Sequence, residues 1–177
     1  MGKAVVIAML LAALLGGVGI WYTQTRAYYS EVAGPVSLTF STGGDLTTLP
    51  ASEVRAIASV SSPLGFRACF AHDLDLLTVP DLADPHAQAA PTVAPGWFDC
   101  FDAKQVAGLL DDGLAQGFVA MKNVAFGVDR IVALSADGRG WAWHELNECG
   151  RKSYDGTPVG EACPDRATYT PLTEGSL

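Results

Sequence analysis

Ala4 to Tyr22, AVVIAMLLAALLGGVGIWY, runs for 19 residues without a charge. As a helix at 1.5 Å per residue it reaches roughly 28 Å, close to the ~30 Å hydrocarbon core of a bilayer. Lys3 stands before it, and Trp21, Tyr22, Tyr28 and Tyr29 crowd its far end. Amphipathic aromatic rings favour the membrane–water interface, so this end reads as the boundary of a membrane span.

A cleaved secretory signal needs a short apolar run and a small-x-small cleavage site. The only small-residue cluster, Gly16-Gly17-Val18-Gly19, is followed by Ile20, Trp21 and Tyr22, a poor exit for a signal peptidase. No cysteine follows the run as a lipidation site, and Val6 stands where a myristoylation signal needs Ser or Thr. The run is therefore expected to stay as an uncleaved signal-anchor. Lys3 plus the terminal amine on one side against a single Arg26, offset by Glu31, on the other predicts the N-terminus inside and the following domain outside.

The remainder suits one domain with a real core. The expected division is an anchor and interface segment over 1–30, an outer domain over 31–165 and a flexible tail over 166–177. The whole chain carries a net charge of −8, and beyond Glu31 it holds 9 basic against 18 acidic residues. Such a surface argues against nucleic acid or an anionic lipid surface as partner, and suits a basic protein.

All four cysteines, Cys69, Cys100, Cys149 and Cys163, follow the apolar run. An even count on the exported side predicts two disulfides. Of three possible pairings, Cys69–Cys100 with Cys149–Cys163 is favoured because both loops are of ordinary size. No CxxC, CxxxC or CxxCH spacing supports a thioredoxin-like, copper-delivery or haem-attachment role.

Along the outer domain, Gly34-Pro35 breaks the helix and Val36–Ser41 alternates as a strand. LPASEVRAIASV offers Ser52 as an N-cap and predicts a short helix. Gly65–Val79 reads as one strand, or two broken near Asp73. The Pro/Ala/Asp-rich stretch from Pro80 to Pro95 predicts a long surface loop. Asp102 caps a helix with Val106, Leu109, Leu110 and Leu114 on one face and Gly117 as its stop. FVAMKNVAF resumes strand character, and Asp129–Leu146 reads as a hairpin turning at Asp137-Gly138, with Trp141 and Trp143 on alternating faces. The order predicts an α+β domain: an N-terminal transmembrane helix, then a small antiparallel sheet with one main helix and disulfide crosslinks.

Three polar clusters invite a chemical reading. HELNE, His144 to Glu148, imitates a zinc-protease motif with a carboxylate in place of the second histidine. Metalloprotease ligands need positions i and i+4 on one helix face; on a strand they would lie ~13 Å apart, so His144 is read as structural. His72, Asp73 and Asp75 with Asp81, Asp84 and His86 could make an oxygen-rich cation site, but nothing fixes their separation and they read as solvated loop groups. Asp99 and Asp102 flank Cys100; Asp102 is better used as a cap. With no nucleophile elbow, phosphate-binding glycine loop or nucleotide fingerprint, no enzyme activity, no cofactor and no metal is expected.

FRACF, APGWFDCFDA, DRIVALSADGRGWAWHELNECG and DGTPVGEACP resemble an uncharacterised family of small single-pass membrane-anchored proteins of Rhodobacter-type alphaproteobacteria. The resemblance covers most of the outer domain, including all four cysteines. It implies that lineage, the inner membrane and a periplasmic domain, and it implies no mechanism. Members sometimes carry an automatic histidine-kinase label. A kinase needs a dimerisation helix with a phospho-acceptor histidine and an ATP lobe with a glycine-rich lid, and this chain has neither.

These features predict an accessory or assembly subunit of a larger, respiratory-type membrane complex. Its helix would pack through Gly16, Gly17 and Gly19, with Trp21 and Tyr22 as interface anchors. An acidic periplasmic domain would favour approach of a basic protein such as cytochrome c. The alternative is an anchored ligand-binding or envelope-sensing module with 80–95 as a mobile lid over a tryptophan-lined pocket. An assembly factor delivering metal or redox equivalents would need a reducible cysteine pair.

Overall fold

The computed structural model describes residues 2–32, 39–42, 45–48, 50–151, 154–157 and 163–171. Helix α1, Gly2–Tyr22, is 21 residues long and buries none of them. It continues as a π-helical turn over Thr23–Ala27, and its length and composition suit a membrane span. Thr23 and Thr25 turn their hydroxyls back onto the carbonyls of Ile20 and Trp21, satisfying acceptors at the helix end.

The rest of the fold is an antiparallel sheet. Its strands are β1 (Tyr29–Glu31), β4 (Ala51–Ser59), β5 (Ser62–His72), β6 (Asp84–Pro85), β7 (Ala115–Ala125), β8 (Val128–Ser135) and β9 (Arg139–Leu146). They lie in the order β1-β4-β5-β9-β8-β7-β6. A separate hairpin, β2 (Thr39–Thr42) with β3 (Asp45–Thr48), brings Phe40 into the core. The expected strand from Val36 is thus seen from Thr39 onward; residues 36–38, Gly34-Pro35 and Gly43-Gly44 lie outside the described residues.

Successive strand residues point to opposite faces, and both faces of this sheet are covered. One face carries Phe66, Ala68, Phe70, Phe118, Val132 and Leu134, packed under Phe40, Val79 and Ala83. The other carries Ile57, Ile131, Trp141 and Trp143, packed under Phe98, Phe101 and Val106. Trp141 and Trp143, two positions apart, share that face rather than alternating.

Helix α2, Ala103–Asp111, supplies Val106 to the second core. Asp102 caps it, its carboxylate accepting from the backbone N–H of Lys104 and Gln105. The helix stops before Gly117. Gly113, at φ +69°, turns the chain; its N–H reaches Leu110 O and the next N–H, on Leu114, reaches Leu109 O. That is the Schellman closure, and it throws Leu114 out to 59% exposure.

The helix expected from LPASEVRAIASV is instead strand β4. Its pairing with β5 slips between Ser52 and Arg55, where Glu53 adopts φ +53°. A bulge inserts an extra residue and breaks the two-residue period, so the sequence loses the alternation that marks a strand.

Disulfides join Cys69 to Cys100 and Cys149 to Cys163. The first ties β5 to the loop that carries Phe98 and Phe101 over the sheet. The second fastens the segment holding Arg166 and Tyr169 beyond the last strand; there Arg166 and Tyr169 both contact the Phe126 ring.

Candidate functional site

The helix exit is stitched to the sheet in three ways. Strand β1 pairs Tyr29 with Ser59 and Glu31 with Ile57. The Trp97 indole N–H donates to Thr25 O at 2.6 Å. The Arg26 guanidinium lies 5.2 Å from the Trp97 ring centroid. Tyr29, expected among the interface aromatics, is therefore a half-buried residue of the sheet edge.

A cavity of about 570 Å³ opens at this junction. The helix exit contributes Thr23, Gln24, Tyr28 and Tyr29. The β4–β5 turn contributes Ser59, Ser61, Ser62, Leu64 and Gly65. The sheet end contributes Arg67, His144, Glu145 and Leu146, and Ala90, Thr92 and Arg151 complete the wall.

Arg67 is buried with its guanidinium surrounded by carbonyls. Nε donates to Thr92 O at 2.9 Å, Nη1 to Leu64 O at 2.7 Å and to Phe66 O, and Nη2 to Val93 O at 3.2 Å. No carboxylate pairs with it among the described residues. Burial lowers its pKa, and the nearby Tyr29 partly offsets that.

Glu145 lies on the same face of β9 as Trp143. One carboxylate oxygen accepts from the Trp143 indole at 2.6 Å and from Ala90 N–H at 2.7 Å, while the other faces His86 at 3.3 Å. Arg67 and Glu145 together therefore fasten residues 86–93 against the sheet. The stretch expected to be a mobile lid is a pinned wall of the cavity. Its sides carry tyrosine and leucine, while Trp141 and Trp143 stay in the core.

His144 is buried on the opposite face. Its Nδ1–H donates to Pro63 O at 2.6 Å, and Nε2 accepts from Arg130 Nε at 3.1 Å. The ring stacks on Phe66. Burial first, then the Arg130 charge, pushes its pKa down to about 3, so the imidazole is neutral. Glu148 sits in the exposed turn after the strand, where Asn147 organises the chain by accepting from the N–H groups of Cys149 and Gly150.

The other polar clusters also separate. His72 is buried with Nδ1 accepting from Leu74 N–H, whereas His86 faces Glu145. Asp84 faces Lys122 and Asp99 pairs with Arg55 at 2.9 Å. Among the described residues no group of three or more His, Cys, Asp or Glu is placed to hold a metal ion. Arg67, Arg151 and the serines of the β4–β5 turn were not singled out by sequence. Only the unpaired arginine in the apolar strand GFRACF could have marked the place.

An apolar helix followed by an antiparallel β domain with two disulfides is the architecture of a single-pass membrane protein with an extramembrane domain. The chain belongs to a family of unknown function, DUF6446, which matches residues 36–164. No curated protein and no solved structure matches it.

Proposed function

We propose that the protein is a non-enzymatic binding module held at the membrane surface by one helix, with the junction cavity as its binding site. The cavity itself carries the reading: about 570 Å³ of space, walled by a pinned strap and lined by hydroxyl, guanidinium, imidazole and carboxylate groups beside the apolar surfaces of Tyr28, Leu64 and Leu146. The titratable liners support binding over catalysis. Both nitrogens of His144 are committed to hydrogen bonds, and Glu145 is occupied by Trp143, Ala90 and His86. The alphaproteobacterial resemblance and the two disulfides favour an inner-membrane anchor with the domain in the periplasm. The test is native mass spectrometry of the full chain extracted in mild detergent, beside Ser61→Trp, which fills the exposed rim. One retained small molecule, lost in the variant, is expected; a chain that retains none sinks the reading.

A second reading, an accessory or assembly subunit of a membrane complex, is favoured by the surface of α1. A side chain added at Gly16, Gly17 or Gly19 would meet nothing within 4 Å, and a groove beside Gly17 runs between Leu14, Val18 and Trp21. Small residues permit close helix packing in lipid. The acidic domain would then suit a basic periplasmic protein such as cytochrome c. Stoichiometric co-purification with one complex on a blue native gel is expected under this reading, and migration of the protein alone counts against it.

A further inference from the structure

We propose that the junction cavity takes the phosphate headgroup of an anionic glycerophospholipid from the leaflet surrounding α1. This rests on the cavity being a binding site and adds the chemistry of its ligand.

The first argument is charge. The chain carries a net −8, yet the charged liners of the cavity are Arg67 and Arg151 against Glu145 alone. The Glu145 carboxylate is already met by two N–H donors and His86. Arg130 adds a third positive group directly behind His144, bonded to its ring at 3.1 Å. Neither Arg67 nor Arg130 has a carboxylate partner among the described residues. A guanidinium has five N–H donors, and Arg67 directs four bonds to carbonyls. The site is a local positive field in an acidic protein, with the hydroxyls of Ser61, Ser62 and Thr92 beside it.

Depth is the second argument. The 21 residues of α1 reach roughly 31 Å, about the thickness of the hydrocarbon core. Thr23 and Gln24, the next two residues, form the cavity rim. The opening therefore lies at the level of lipid phosphates. Composition is the third: Tyr28, Leu64 and Leu146 give the cavity apolar sides that a free inorganic anion does not use, whereas a glycerol backbone and the first methylenes of an acyl chain do.

The experiment titrates delipidated full chain in mild detergent with dihexanoyl phosphatidylglycerol, dihexanoyl phosphatidylcholine and inorganic phosphate, read by native mass spectrometry. Phosphatidylglycerol is expected to bind at least about tenfold more tightly than phosphatidylcholine, with phosphate far weaker. Arg151→Glu, at an exposed position, and Ser61→Asp, at the rim, are each expected to remove that preference while the melting temperature holds. Equal binding of the two lipids overturns the lipid-charge assignment, and phosphate binding as well as phosphatidylglycerol shows a soluble-anion site instead. A preference untouched by both variants places the lipid elsewhere on the chain. If the natively retained molecule is some other compound, the lipid assignment fails and the binding-module reading stands; if nothing is retained at all, both fail.

Discussion

Arg130 and His144 are register partners across the β8–β9 ladder, and the guanidinium donates from Nε to the imidazole Nε2 at 3.1 Å. Both side chains are buried, and the guanidinium carbon lies 4.7 Å from the Phe66 ring centroid. A buried cation usually takes a carboxylate. Here an imidazole lone pair and an aromatic face take that place, and Nη2 has no partner among the described residues. Burial pushes the Arg130 pKa down to about 10, still far above neutrality. The arrangement requires a neutral histidine, because a proton on Nε2 would point at the arginine.

That requirement makes the fold sensitive to mild acid. A histidine in the unfolded chain takes up its proton near pH 6.5, whereas folded His144 resists until about pH 3. Between those values the unfolded state binds more protons, so stability falls as pH falls. The loss approaches ~1.4 kcal/mol per pH unit below 6.5. Arg130, the charged group beside the ring, does not titrate in this range. Denaturant unfolding of the full chain at pH 7.5, 6.5 and 5.5 reads the slope. His144→Gln can accept from Arg130 and donate to Pro63, and is expected to flatten it; parallel slopes in the two proteins contradict the assignment.

Glu145 fastens the 86–93 strap, and its removal strands the indole donor of buried Trp143 and frees the exposed Ala90 N–H. Glu145→Ala leaves the Trp143 indole and the Ala90 N–H without an acceptor. A buried unmet donor costs ~1–3 kcal/mol, whereas the exposed Ala90 N–H turns to water, so a loss of about 1–3 kcal/mol is expected. Glu145→Gln keeps an oxygen at the same place and is expected to lose less than half of that. Amide exchange at Ala90 supplies an independent reading: it should quicken strongly in the alanine variant and little in the glutamine one. Equal behaviour of the two variants argues that the strap is held by other contacts.

The elements legible in the sequence were those whose local signal and tertiary role agree. The 19 uncharged residues before Thr23, the Asp102 cap and the Asp137-Gly138 turn each announce themselves within a few residues. Strand β4 did not, because the bulge at Glu53 hides its period and Ser52 imitates a cap. The end of α2 was misplaced because Leu114 fits the apolar stripe, while the stop belongs to Gly113. The cavity was invisible for a different reason. Its groups come from Thr23, Ser61, Arg67, Glu145 and Arg151, which meet only through the register of β1, β4, β5 and β9.

Gly127 is required for two reasons that can be separated. It adopts φ +75°, and a side-chain carbon there would run into the backbone of Gly150. Gly113 has a similar φ of +69° but open space around it. Gly113→Ala is thus expected to cost only the ~1 kcal/mol of the left-handed conformation. Gly127→Ala adds the displacement of the turn at 147–150 and is expected to cost about 2–4 kcal/mol. Thermal unfolding of the two variants compares them directly, and equal losses dismiss the close approach as a constraint.

The two disulfides should differ in what their loss exposes. They span 31 and 14 residues, so chain-entropy reasoning gives them similar values, about 4 and about 3 kcal/mol. Packing separates them. Cys69–Cys100 holds the loop whose Phe98 and Phe101 cover Trp143, and the Phe101 and Trp143 rings meet edge to face. Replacing both by alanine is expected to destabilise the whole domain by about 3–5 kcal/mol and to red-shift tryptophan emission as the second core loosens. Cys149–Cys163 instead holds a peripheral segment. Its replacement by alanines is expected to free Arg166 and Tyr169 from Phe126 while tryptophan emission stays native at 25 °C. A red shift in the second variant and none in the first reverses the assignment of which crosslink guards the core.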